Sequence, residues 1–239
     1  MSAARLFISD LHLDAVRPAV IKAFADFLHA HRDVAALYIL GDLFESWVGD
    51  DDDSALAKQI ARMLRSYSSA GPALYLMQGN RDFMLGERFA TRVGAQLLPD
   101  PSVVEIDGER LLLMHGDSLC TRDEDYQAFR KLARSPQWQA EMLAQSLEAR
   151  RELAEKLRSV SRDAGSRKAE DIMDVSDRAV TNAMHEADSA TLIHGHTHRP
   201  ARHENSAGVR WVLGDWDQNG WYIKTADGKI ELMEFAIPQ

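Results

Sequence analysis

The chain has 239 residues, 45% of them hydrophobic and 27% charged, an ordinary globular composition that suits one large domain or a domain with an insertion. No apolar run reaches the roughly 18 residues of a membrane span, and "MSAARLFISDLHL" lacks the long apolar core of a signal peptide, so neither is expected. The net charge of −9 argues against nucleic acid as a partner, and the single cysteine, Cys120, rules out an internal disulfide and fits a reducing cytoplasm.

Short apolar runs alternate with amphipathic ones. "RLFIS" predicts a strand and "VIKAFADFLHAH" a helix; "AALYIL" predicts a strand and "SALAKQIARMLRSY" a helix with Ser54 as its N-cap. "ALYLMQ" reads as a third strand and "FMLGERFATRV" as a helix, which together argue for a sheet core covered by helices. "SVVEIDGERLLLMHG" then predicts two strands about an Asp107-Gly108 turn. From Asp123 to Ala187 the pattern is helical only, and "ATLIHG", "VRWVLGDW" and "GWYIKTADGKIELMEF" return to strands, the last pair joined at Asp227-Gly228. A core of residues 1–122 and 188–239 with a helical cap, 123–187, is therefore expected.

Charge is unevenly spread. Residues 121–187 hold 12 of the 28 basic and 13 of the 37 acidic residues, leaving 16 against 24 elsewhere. Within them Arg150 to Lys168 carries seven basic residues and three acidic ones, which reads either as a site for an anionic partner or as a solvated helix face.

Five predicted strands finish in Asp, Asn or His. They are "SDLHL" with Asp10 and His12, "LGDLFE" with Asp42, "QGNRDF" with Asn80, Arg81 and Asp82, "LLLMHGD" with His115, and "HGHTHRP" with His194, His196 and His198. The carboxyl ends of strands in layered α/β folds are where ligands collect. A spacing of two in an extended segment points Asp10 and His12 the same way, and likewise His196 and His198, while glycines 41, 79, 116 and 195 permit sharp turns. A mixed Asp/Asn/His set suits Mn²⁺, Fe²⁺ or Zn²⁺, and it holds too many ligands for one ion. Two ions about 3.5–4 Å apart suit an in-line phosphoryl displacement, with Arg81 placed to hold the phosphate bidentately. His194 reads as a supporting strand-end residue rather than a ligand, and Cys120 as an inert thiol.

In that order, "DLHL", "GDLFE", "GNRD", "MHGD" and "GHTHRP" resemble the calcineurin-like metallophosphoesterases across residues 10–200. The resemblance implies an α/β sandwich of two mixed sheets flanked by helices. It implies that Asp10, His12, Asp42 and His198 hold one ion, that Asp42 bridges, and that Asn80, His115 and His196 complete a second site, with Mn²⁺ as the usual activator. Asn80, Arg81 and His196 would be catalytic.

"LGDLFESWVGDDD", "GNRDFMLG", "MHGDSLCTRDEDYQ" and "IMDV" resemble the branch of that family that acts on a nucleotide-sugar lipid of lipid A biosynthesis, UDP-2,3-diacylglucosamine. The implied reaction is attack of ion-activated water on the α-phosphorus, giving UMP and 2,3-diacylglucosamine 1-phosphate (lipid X). Substrate contacts carry over to Asn80, Arg81, Asp123, Ser161, Lys168 and His196, and to Gly165, where the family often has Asn. The cap would offer Phe129, Leu132, Trp138, Met142, Leu143, Leu147, Leu153 and Leu157 to the acyl chains, unless these only pack a core. A monomer held peripherally on the cytoplasmic face of the inner membrane is expected. The rival readings are a soluble nucleotide or dinucleoside polyphosphate hydrolase, and a binding module that has lost its chemistry; the latter should lack several of the seven ligands.

Overall fold

A computed structural model describes residues 3–165 and 172–238. β1 (Arg5–Ile8), β2 (Ala36–Leu40), β3 (Ala73–Met77) and β4 (Ala95–Leu98) run parallel, linked by α1 (Pro18–Ala30), α2 (Ala55–Ser68) and α3 (Glu87–Val93). β5 (Ser102–Ile106) and β6 (Glu109–Leu113) form a hairpin, followed by α4 (Glu124–Ala133), α5 (Pro136–Leu143), α6 (Leu147–Gly165) and α7 (Asp177–Glu186). β7 (Thr191–His194), β8 (Ala201–Asn205) and β9 (Gly208–Val212) precede a final hairpin of β10 (Asn219–Ala226) and β11 (Lys229–Ala236). The two sheets have the orders β11-β10-β1-β2-β3-β4 and β5-β6-β7-β9-β8, each mixed parallel and antiparallel.

Strand alternation builds three apolar layers. Leu6 and Ile8 of β1 face the helices, where they join Leu37, Ile39, Phe24, Leu64 and Phe89. Phe7 faces the other way, and with Tyr38, Leu40, Met77, Leu111, Leu113 and Ile193 fills the space between the sheets. Leu112, Met114 and Leu192 on the far face of the second sheet are covered by Val180 and Met184 of α7.

Helix starts follow their sequence signals. Ser54, Asp123, Ser135 and Ser176 each accept a hydrogen bond from a first-turn amide, and Pro18 and Pro136 occupy the opening turns of α1 and α5. The helix expected over "FMLGERFATRV" begins only at Glu87. Gly86 is extended there, and the Asp50 carboxylate accepts from the amides of Gly86 and Phe89, both at 2.9 Å, capping α3 from a distant loop. Two strands escape the periodicity reading. β4 is a four-residue edge strand directly after the left-handed Gly94, and β8, "ARHEN", is a largely exposed edge with no apolar alternation.

Candidate metal centre at the strand ends

The carboxyl ends of β1, β2, β3, β6 and β7 meet at one edge of the sandwich. Asp10, His12, Asp42, His196 and His198 there all adopt left-handed backbone, with φ of 56°, 48°, 53°, 68° and 55°. The paired side chains therefore converge through strained turns and not through extended backbone as the spacing implied. Such residues cost about 1–3 kcal/mol each and persist where the surroundings over-determine them. Here the loops interlock: Asp10 N donates to Gly41 O at 3.1 Å, His12 N to Asp42 O at 3.0 Å, Gly195 N to His115 O at 2.9 Å and Trp216 N to Asp10 O at 3.0 Å. Gly79 and Gly195 serve close approach: a methyl group on Gly79 would overlap the Asp42 carboxylate, and one on Gly195 would overlap Ser9 Oγ and Asp10 Oδ2.

Two groups of side-chain atoms lie within 4.8 Å of one another, Asp10–His12–His198 and Asp10–Asp42–His115. Asp42 Oδ2 stands 3.8 Å from His12 Nε2 and 3.7 Å from His115 Nε2. Asn80 Oδ1 lies 2.8 Å from His115 Nε2 and 2.9 Å from His196 Nδ1. His198 Nε2 is 3.3 Å from His12 Nε2 and 3.4 Å from Asp10 Oδ1. All seven candidate ligands are thus brought together.

The donor set fits divalent cations. Asp10 Oδ1 is buried without a hydrogen-bond partner, while Oδ2 is committed to Ser9 Oγ at 2.5 Å and His196 N at 2.9 Å. Burial works against charge on His115 and His198, yet the carboxylates overcome it and raise both to about 9: Asp42, Asp10 and Asp117 act on His115, Asp10 and Asp215 on His198. The carboxylates at this edge thus favour positive charge. Burial, then His115, pushes His196 down to about 4, so its imidazole is neutral and able to donate a lone pair.

Supporting groups hold this set, and of them the sequence reading named only Asp82, as a strand-end residue without an assigned role. The buried Asp82 carboxylate accepts four backbone N–H groups: Gly79 at 2.7 Å, Leu43 at 2.8 Å, Asp42 at 3.2 Å and Phe44 at 3.4 Å. Glu45 Oε2 lies 2.8 Å from His12 Nδ1, and its other oxygen takes Arg158 Nη2 at 2.6 Å. Such a carboxylate fixes the ring orientation of a metal-binding histidine. Asp117 Oδ2 accepts from Tyr126 Oη at 2.5 Å and Arg130 Nε at 2.8 Å, which ties α4 to the centre, and the Tyr126 ring stacks over His196.

A cavity of about 630 Å³ opens from the centre into the helical segment. Asn80, Arg81, Asp123, His196 and His198 line its polar end, and Phe83, Phe129, Trp138, Met142, Leu153 and Leu157 its apolar wall. Leu132, Leu143 and Leu147, expected to serve the same wall, do not line it, and the first two are about half exposed. Ser161 and Gly165 fall on the last turns of α6, and Lys168 lies outside the described residues. Three of the seven basic residues of the basic stretch are paired. Arg150 is buried and bidentate on Asp51, Arg151 pairs with Asp52 and Asp53, and Arg158 with Glu45. Arg150 and Arg151 thus dock α6 onto the acidic loop at 50–53, where the sequence suggested either an anionic partner or a solvated face. Cys120 is buried, and burial, then Asp117, pushes its thiol up to about 12.

Residues 5–200 match the calcineurin-like phosphoesterase family model. A UDP-2,3-diacylglucosamine hydrolase of Cellvibrio japonicus is 49% identical over 237 residues, covering 97% of this chain and 99% of that protein. One of Chromohalobacter salexigens is 49% identical over 239 residues, covering 97% of each. In fold the chain is similar to an archaeal phosphodiesterase, with a TM-score of 0.51 at 14% identity, covering 98% of this chain and 99% of that one. On the match across its motif-bearing strand ends, the chain belongs to the calcineurin-like phosphoesterase family.

Proposed function

We propose that the protein hydrolyses the diphosphate of UDP-2,3-diacylglucosamine, giving UMP and lipid X in lipid A biosynthesis. The observation that carries this reading is the cavity of about 630 Å³ that joins the ligand cluster to an apolar wall built by α4, α5 and α6. A soluble nucleotide has no acyl chain to place along Met142, Leu153 and Leu157. Two relatives of nearly full-length coverage carry that activity in their names.

The family carries a divalent dinuclear metal site, and seven side chains here suit it. In the proposed assignment Asp10, His12, Asp42 and His198 hold one ion, and Asn80, His115 and His196 with Asp42 hold the second. Asp42 would serve both ions, since its Oδ2 is nearly equidistant from His12 and His115, while its Oδ1 accepts from Arg81 N at 2.8 Å. Mn²⁺ is the proposed metal. When bound, two such ions lower the pKa of water and neutralise charge on the phosphoryl oxygens.

The chain's own residues do the rest. Arg81, at the polar end of the cavity, holds the phosphate through its planar guanidinium. Asn80 and His196 place its oxygens, and Asp123, Ser161, Gly165 and Lys168 complete the substrate contacts. The cap spans 123–187 in this reading, with α4 to α6 facing substrate and α7 covering the second sheet. No described helix is long and apolar enough to cross a membrane. Peripheral attachment of a monomer to the cytoplasmic face of the inner membrane is proposed through the cap, where Leu132, Leu143 and Met173 are exposed.

The test is UMP release from UDP-2,3-diacylglucosamine in Mn²⁺, beside the same compound stripped of its acyl chains. Only the acylated compound should turn over efficiently, and hydrolysis in ¹⁸O-water should label UMP. Equal turnover of both, or label in lipid X, would refute the substrate or the site of attack respectively.

A further inference from the structure

His194 is fully buried, yet it belongs to neither ligand group. Its Nδ1 lies 2.8 Å from Gly195 O and its Nε2 lies 3.2 Å from Arg210 Nη1. A carbonyl only accepts, so Nδ1 carries the proton; Nε2 is then the lone pair that takes a guanidinium N–H. A buried strand-end histidine is thus spent on aiming one arginine.

That arginine is unusual. Arg210 is half withdrawn from solvent, and among the described residues no carboxylate stands within ion-pair distance of it. Arg210 lines a recess of about 210 Å³ together with Asp174, Thr197, Arg199, Pro200, Ala201 and His203. Thr197 and Arg199 line both this recess and the large cavity, and Thr197 sits between His196 and His198. The recess therefore adjoins the candidate centre as an annex through these shared residues, with Arg210 and Asp174 set among the apolar Pro200 and Ala201.

We propose that this annex holds the uracil and ribose of the substrate, with Arg210, positioned by His194, and Asp174 as its recognition groups. The assignment rests on the diphosphate-hydrolase reading above. In an in-line displacement at the α-phosphorus, lipid X leaves on the side opposite the attacking water. The diacylglucosamine is fitted by the apolar wall, so the nucleoside needs a separate and polar direction of exit from the same phosphorus. The annex offers that direction and the matching chemistry. Uracil presents two carbonyl acceptors around one N–H donor, and ribose presents hydroxyls. Guanidinium N–H groups satisfy the carbonyls, and the Asp174 carboxylate, held by Arg199 Nη1 and Val175 N at 2.7 Å each, has lone pairs left to accept from an N–H or a hydroxyl. Cytosine replaces one carbonyl with an amine, which would oppose a guanidinium donor with another donor.

The experiment is calorimetric titration of Mn²⁺-loaded protein with UMP, CMP and inorganic phosphate. Wild type, Arg210→Gln and Asp174→Asn are compared, with melting temperature and metal content recorded for each. Phosphate reports the centre alone. Wild type should bind UMP more tightly than CMP and than phosphate. Each substitution should shrink the ratio of UMP to phosphate affinity by about tenfold or more, the loss of one hydrogen bond to a charged group. Should Arg210→Gln fail to fold, Asp174→Asn carries the comparison, because Asp174 is partly exposed. A UMP-to-phosphate ratio unchanged by substitution, or wild type binding CMP as well as UMP, would overturn the annex assignment. Absence of UMP release from UDP-2,3-diacylglucosamine by wild type would instead refute the substrate reading, and the annex with it.

Discussion

Asp82→Asn isolates how the centre is held without touching a candidate ligand. Whichever oxygen is replaced by an amide, two buried N–H groups lose their acceptor, either Gly79 and Asp42 or Leu43 and Phe44. The charge itself is not a net gain for the fold: burial, then the neighbouring Asp42, raises Asp82 to about 6. The cost of the variant therefore lies in the orphaned donors, at about 1–3 kcal/mol each. Part is offset because the amide no longer buries a charge, and about 3 kcal/mol is expected in all. For a chain of this size that corresponds to a fall in melting temperature of roughly 6–12 °C. Thermal unfolding followed by circular dichroism at pH 7.5, in chelator, gives the number free of ion binding. A Mn²⁺ titration of the same variant should show weaker affinity, since the Asp42 turn hangs from Asp82. A melting temperature within 2 °C of wild type would mean that these amides find other acceptors and that the staple is not what holds the turn.

Asp42→Ala should lose both ions, so metal analysis should fall from two equivalents per chain towards none; retention of one ion would remove Asp42 as the bridge. Burial favours the neutral form of Glu45, yet His12, Arg81 and Arg158 hold its carboxyl down at about 2 from an ordinary 4.5. The folded value lies below the unfolded one, so its stabilisation is full above pH 4.5 and is lost as pH falls towards 2, as much as ~3 kcal/mol before solvent screening. Glu45→Gln should accordingly flatten the dependence of melting temperature on pH in that window, and an unaltered slope would refute the pairing with His12. Cys120 should resist iodoacetamide at pH 8 in the folded protein and react after denaturation; mass spectrometry of the intact chain checks this, and rapid labelling of the native form would contradict its burial.

What the sequence made legible is what chemistry demands at fixed positions. Asp10, His12, Asp42, Asn80, His115, His196 and His198 could be picked out because each closes an apolar run, and the fold grouped them. Ser54 and the Asp-Gly turns were equally readable, being local signals. The supports were not. Asp82 looks like a turn residue until the loop after β2 is laid across it, and Glu45 looks like any exposed acid until His12 and Arg158 close on either side. The run Asp50 to Asp53 carries no local sign of its partners, yet Asp50 caps α3 and the others meet α6 about a hundred residues away. Each of these depends on a partner distant in sequence, and no local pattern encodes that.

The strand order carries a consequence for how the chain is made. β1 is an interior strand, with β2 on one side and β10 on the other, and Arg5 lies opposite Thr225. During synthesis β1 can gain its parallel neighbour β2 early, but its other edge stays open until β10 emerges. An apolar segment with unpaired N–H and C=O groups is a template for another copy of itself. The vulnerable period of this protein is therefore its own translation, when "RLFI" waits for a partner nearly the whole chain away. Fragments that stop just short of Asn219 should aggregate through that edge even though every described α-helix and every candidate ligand are already present.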